Sequence, residues 1–204
     1  MVRIAVLDAN VLWPQYLRDA LLTAAEYDLY RGHWTDAILD EARTSLIREG
    51  RLTAERAEWT FGEMRRGFPH FLVTGYERLI PLMMNDEKDR HVLAAAVHAG
   101  ADTIVTFNTK DFPLTSCEPY AIDIDTPDDF LMDLWVSNPS TMARALVRMA
   151  NRLNKPPLTV QRLVADVLGG PAPAFAKLAL SSGALEIAVQ TDRDGMSGSD
   201  FPLF

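Results

Sequence analysis

Cysteine is nearly absent: Cys117 stands alone in 204 residues, so no disulfide framework and no multi-cysteine metal knot can form within the chain. Histidine is scarce, and His33, His70, His91 and His98 follow no familiar zinc spacing. His91 lies near Asp89 in sequence, yet a structural role is its better reading. No apolar run approaches the roughly 18 residues that a membrane-spanning helix requires. No internal repeat and no low-complexity segment is present. The opening stretch MVRIAVLDANVL reads as a strand carrying an Asp rather than as a secretory signal with a small-residue cleavage site. The expectation is a cytoplasmic protein with no membrane segment. Trp13, Trp34, Trp59 and Trp135 are scattered and read as packing residues, with nothing to select one for stacking on a base.

What is present is an ordinary globular composition, 48% hydrophobic and 24% charged, with length for one good core plus an appendage. The net charge of −8 is unevenly spread. Residues 1–136 carry 13 Lys and Arg against 23 Asp and Glu, whereas residues 137–204 carry 7 against 5. An acidic body repels nucleic acid unless part of its acidity is a carboxylate cluster neutralised by a divalent cation. The same acidity suits a basic protein partner, and charge alone does not choose.

Residues 2–7 are apolar and β-branched almost throughout, as a strand buried on both faces requires. Helical spacing recurs over 15–29, and Thr35 offers an N-cap for a helix to Arg48, with Ile38, Leu39, Ala42 and Leu46 as its buried stripe and Gly50 as its stop. A helix is expected over 53–66 and a strand over 71–77. Asp86 is expected to cap a helix ending at Gly100, followed by strands over 103–107 and 120–124 and by a helix opening at Pro127. Strands alternating with helices imply βαβ units and a mainly parallel sheet. The Ser137-Asn138-Pro139 stretch reads as a boundary between a domain of residues 1–136 and a helical extension of 137–204. In the extension, Met142, Leu146, Met149 and Leu153 make one apolar face, Pro156-Pro157 breaks it, helices follow over 158–168 and near 173–181, and the residues from Thr191 read as a flexible tail.

Several acids stand where chemistry usually sits. Asp8 ends the first strand, and in open α/β sheets sites form beyond the carboxyl ends of strands. It could equally cap the helix that follows. Asp89, three residues after Asp86, could be a reactive acid or half of a capping pair favoured by the helix dipole. Asn108 and Asp111 follow the 103–107 strand, where Asn and Asp also serve as ordinary turn formers. By spacing alone, Glu41 lies opposite the buried stripe and reads as a solvated acid, no better a candidate than Asp40. Carboxylates that meet without a partner repel, and a hard cation such as Mg²⁺ or Mn²⁺ removes the conflict. Such an ion can acidify water and offset charge on a phosphodiester, a chemistry that needs no nucleophilic Ser or Cys.

The segments VLDANVL (6–12), ILDEARTSL (38–46), NDEKDRHVLAAAVHAGADTIVTFNTKDFP (85–113) and TPDDFLMDL (126–134) resemble the PIN-domain family, specifically its VapC-like toxin branch. The third segment is the most specific, and the resemblance covers about residues 2–136. It implies an α/β fold, a PIN-like parallel sheet flanked by helices, here with a small α-helical C-terminal extension. It also implies a metal-dependent endoribonuclease using Mg²⁺ or Mn²⁺, with RNA as substrate, a cognate antitoxin protein as partner, and 3′-hydroxyl and 5′-phosphate products. Carried over residue by residue, the metal-binding and catalytic acids are Asp8, Glu41 and Asp89, with Asp111 or Asn108 in the fourth position. Many family members place Asp where this chain has Asn108, and Thr where it has Ala9, so one charge and one hydroxyl are missing. Arg43, Lys88 and Arg90 flank the acids and are candidates for steering phosphate, or ordinary solvated helix charges. The extension is expected to pack on the first domain, complete a homodimer or help hold the antitoxin. The competing class is a catalytically silent PIN-fold module that binds RNA or protein. A phosphatase using Asp8 as nucleophile would want Asp two positions on, where Asn10 stands.

Overall fold

Two short, largely apolar strands, one Arg-Gly-His strand and one acidic one make the sheet in a computed structural model of the chain, which describes residues 2–153 and 157–194. The elements, in order, are β1 (Ile4–Leu7), α1 (Ala9–Leu12), α2 (Gln15–Glu26), β2 (Arg31–His33), α3 (Asp36–Arg48), α4 (Ala54–Gly67), α5 (Arg90–Ala99), β3 (Thr103–Val105), α6 (Leu114–Cys117) and β4 (Asp123–Asp125). They continue with α7 (Pro127–Ser137), α8 (Pro139–Arg152), α9 (Val160–Arg162) running into a π-helical segment Leu163–Leu168, α10 (Pro173–Ser181) and α11 (Ala184–Asp194). The chain forms two compact units. One holds the residues up to Gln15 together with Arg31–Thr126, and the other holds Tyr16–Tyr30 together with the chain from Pro127.

In the first unit the sheet order is β2-β1-β3-β4, all pairs parallel, with Val6 opposite His33 on one side and Ile104 on the other. Ala5, Val6, Leu7, Ile104 and Val105 are sealed from solvent, as strands covered on both faces must be. The α/β expectation therefore holds: a parallel sheet flanked by helices, with further helices at the C-terminus. Order reverses between β1 and β3, since β1 leads to β2 on one side while β3 lies on the other. That switch point is where open α/β sheets leave a crevice.

Local chemistry explains most element ends. The Thr35 hydroxyl accepts the Ile38 amide hydrogen at 3.1 Å and starts α3, and Thr53 does the same for α4 through Arg56 at 3.2 Å. Gly100 ends α5 in the left-handed region at φ 61°, a conformation in which a side chain would strain. The expected strand over 71–77 does not form. Only Leu72 bridges to Trp34, while Pro69–Phe71 and Glu77–Leu82 wind into 3₁₀ turns around a left-handed Gly75. The strand expected over 103–107 stops at Val105, and the one expected over 120–124 runs instead over 123–125, because Glu118–Tyr120 turns and Ala121 is left-handed.

The second unit is helical. Met142, Leu146 and Met149 line the buried face of α8 as the spacing predicts, and Trp135 meets Phe175 edge-on at 5.9 Å. Asp128 accepts the amide hydrogens of Ala174 at 3.0 Å and Phe175 at 2.7 Å, capping α10 in place of Ala172, which has no side chain to do so. Arg152 pairs with Glu26 at 3.1 Å. Asp19 is 2% exposed, and neither carboxylate oxygen has a hydrogen-bond partner among the described residues. Thr191–Asp194, read above as the start of a tail, close α11. Pro156 and residues 195–204 lie outside the described residues. No helix among the described residues is long and apolar enough to cross a membrane.

Candidate active site

Asp8 leaves β1 at the switch point, its backbone amide still donating to Val105 O at 3.1 Å. The side chain is 3% exposed and fully engaged. One oxygen accepts from the Ala9 amide at 2.7 Å, and the other accepts from Asn10 Nδ2 at 2.6 Å and from the Thr106 hydroxyl at 2.7 Å. Asn10 in turn accepts the Phe107 amide hydrogen through its side-chain oxygen at 3.0 Å, and Thr106 Oγ accepts the Asn108 amide hydrogen at 3.0 Å. These bonds lace the ends of β1 and β3 together and fix one carboxylate rotamer. Burial pushes the Asp8 pKa above the ordinary carboxylate value. The Thr106 and Ala9 bonds oppose that shift, the Glu41 charge adds to it, and His91 counters it.

Asp89 arrives by a different route from the one its sequence suggests. The helix expected to begin at Asp86 instead begins at Arg90, after a 3₁₀ turn over Glu87–Asp89 that Asp86 caps through the Lys88 amide at 3.2 Å. Asp89 makes no side-chain cap of its own, so the capping-pair reading does not describe it. Its carboxylate is 7% exposed, and Oδ2 has no hydrogen-bond partner among the described residues. Burial raises its pKa first and the charges of Asp8 and Asp111 raise it further, while Lys88 lowers it. Asp111 is 8% exposed, and its backbone oxygen accepts the Asp86 amide hydrogen at 3.2 Å, which joins the two loops. The Lys88 ammonium donates to Asp111 Oδ2 at 3.0 Å and stands 3.5 Å from Asp89 Oδ2, so Lys88 holds its proton more tightly than a free lysine.

The remaining candidates are spread more widely. Glu41 is half-exposed on α3, 3.8 Å from His91 Nε2 and near enough to Asp8 to raise its pKa. His91 Nδ1 lies 2.9 Å from Lys88 O. Asn108 is exposed. Arg43 pairs with Asp40 at 3.4 Å and Glu58 at 3.8 Å, and Arg90 Nε donates to Asn85 O at 3.4 Å. A cleft of about 210 Å³ beside the acids is lined by Ala9, Asn10, Trp13, Glu41, Ser45 and Glu49. Thr106 and Asn10 are the site residues that sequence reading passed over. The only signal was a hydroxyl at the end of an otherwise apolar strand and an amide two residues after its acid.

Do these residues suit a metal? The donors are hard carboxylate oxygens, two of the acids are raised in pKa by burial and by neighbouring carboxylates, and one buried oxygen lacks a hydrogen-bond partner among the described residues. That chemistry fits Mg²⁺ or Mn²⁺. Among the described residues, however, no three His, Cys, Asp or Glu side chains are gathered so as to hold a metal ion. The positive charge nearest Asp89 and Asp111 in this arrangement is the Lys88 ammonium.

Comparison with known proteins places this geometry in context. A family model described as PIN domain matches residues 4–110, just over half of the chain. A second, described as VapC50 C-terminal domain, matches residues 127–181. A Mycobacterium tuberculosis protein named "Putative ribonuclease VapC50" is 43% identical over 102 residues, which is 50% of this chain and 60% of that protein. The match thus spans less than two thirds of that relative. No solved structure matches the chain.

Proposed function

Because the chain belongs to the PIN-domain family, among its VapC-like members, we propose that it is a divalent-metal-dependent endoribonuclease and the cytoplasmic toxin of a toxin–antitoxin pair. The observation that carries this reading is the buried Asp89 carboxylate, one oxygen without a hydrogen-bond partner, held within the fields of Asp8 and Asp111. Asp8, Glu41, Asp89 and Asp111 would hold the ion. Mg²⁺ or Mn²⁺, when bound, supplies Lewis acidity toward water and the scissile phosphodiester. Thr106 and Asn10 hold the Asp8 carboxylate in one orientation, and a fixed ligand is worth more than a mobile one. Asn108, Arg43 and Arg90 are the side chains proposed to meet RNA, Arg43 after exchanging Asp40 and Glu58 for phosphate. The C-terminal helices, residues 137 onward, are proposed to serve antitoxin or self-association, since every candidate acid lies in the first unit.

One observation favours a second reading. That no three acids are gathered to hold an ion, among the described residues, suits a silent PIN-fold module that binds RNA or protein. Incubating purified protein with a mixed cellular RNA pool separates the two. The nuclease reading predicts discrete cuts with Mn²⁺, abolished by EDTA and by Asp89→Asn. Uncut RNA, with Mn²⁺ binding too weak to measure, would establish the module.

A further inference from the structure

The acids of the site are not left bare. Lys88 sits in the turn between Asp86 and Asp89 with its side chain largely exposed, yet its ammonium is turned onto Asp111 Oδ2 at 3.0 Å and Asp89 Oδ2 at 3.5 Å. Among the described residues its ion pairs are with these two acids alone. The turn itself is tied down: Asp86 caps it through the Lys88 amide, and the Lys88 carbonyl lies 2.9 Å from His91 Nδ1. The Lys88 stem therefore starts from a fixed backbone and reaches two carboxylates that are each less than a tenth exposed. An ammonium gains little from one solvated carboxylate and more from two that are themselves shielded from water, as these are.

We infer that Lys88 is a tethered counter-cation of the metal-free site, bridging Asp89 and Asp111 and yielding them when a divalent cation binds. The inference rests on the metal reading given above. It accounts for two carboxylates, each less than a tenth exposed, that share one ammonium. A bridging ammonium relieves their repulsion while keeping their oxygens turned toward itself. The divalent ion must then displace a charge already in place, so Lys88 sets a threshold on metal affinity. It is a positioning residue, acting through Asp89 and Asp111.

The test is Mn²⁺ binding to the full chain by titration calorimetry, with thermal melts in EDTA and in excess Mn²⁺. The variants are Lys88→Met, Lys88→Arg and Asp89→Asn. Lys88→Met is expected to bind Mn²⁺ roughly five- to ten-fold tighter, the equivalent of removing one partly exposed competing ion pair. It should also melt lower than wild type in EDTA and level with it in Mn²⁺. Lys88→Arg, which keeps the charge, should behave as wild type. Unchanged or weaker Mn²⁺ binding in Lys88→Met, with binding still abolished by Asp89→Asn, would overturn the role of Lys88 and leave the metal reading intact. Mn²⁺ binding indifferent to Asp89→Asn would overturn both.

Discussion

Replacing Asp19 with Asn should make the protein more stable, and increasingly so as pH rises. Asp19 is 2% exposed, its oxygens lack hydrogen-bond partners among the described residues, and burial lifts its pKa from 3.8 to about 7 despite the Arg18 and Arg152 charges. In the unfolded chain the carboxyl ionises near its ordinary value. Between pH 4 and 7 the folded state therefore holds a proton that the unfolded state has released, and stability falls as pH rises through that window. Above the folded pKa the loss is complete, at about 4 kcal/mol. Roughly 2–3 kcal/mol of it falls between pH 5 and pH 8. Asn carries no such penalty. Urea melts of wild type and Asp19→Asn in EDTA, at pH 5 and at pH 8, isolate this group from every other titration. The variant's advantage should grow by about 2–3 kcal/mol between the two, or very roughly 5–10 °C in Tm for a chain of this size. An advantage that is the same at both pH values would refute the reasoning and place Asp19 in folded and unfolded states alike as an ordinary ionised acid.

Thr106→Val keeps shape but removes the hydroxyl that donates to Asp8 and accepts from Asn10 and the Asn108 amide. A hydrogen bond to a charged group contributes about 1.5–3 kcal/mol, so metal-dependent cleavage should slow by roughly 10- to 100-fold. An unchanged single-turnover rate would count against the orienting role. Asp128→Ala leaves the Ala174 and Phe175 amides uncapped and should cost about 1–3 kcal/mol in a urea melt without altering Mn²⁺ affinity. Thr35→Ala removes the α3 cap and should cost about 1 kcal/mol, since the Ile38 amide loses its acceptor.

Much of the first unit could be read directly. An unbroken apolar run ending in Asp predicted β1 and the place of Asp8, and Thr35 with its stripe predicted α3 and its cap. These succeed because each is decided within a few residues. The 71–77 strand failed because Val73 and Tyr76 bury their side chains from the irregular stretch between two 3₁₀ turns, where a single bridge from Leu72 to Trp34 replaces a ladder. Glu41 shows a different limit. Spacing described it correctly as solvated, and nothing local says that the end of β1 lies near enough for its charge to reach Asp8. Asp89 looked like a capping acid, and the 3₁₀ turn that frees its carboxylate depends on Asp86 holding the Lys88 amide. The grouping of Tyr16–Tyr30 with the chain from Pro127 was invisible, because helical spacing fixes which face is buried and not against what.

The central claim is that Asp8 and its neighbours bind a divalent ion and cut RNA with it. Asp8→Asn removes the charge but keeps the side chain's shape, and its one remaining oxygen can accept from either Ala9 or Thr106. Mn²⁺ affinity and single-turnover RNA cleavage should be measured on the same folded preparations of wild type and this variant. The account predicts that both collapse together. Mn²⁺-dependent cleavage that survives Asp8→Asn at the wild-type rate would contradict it.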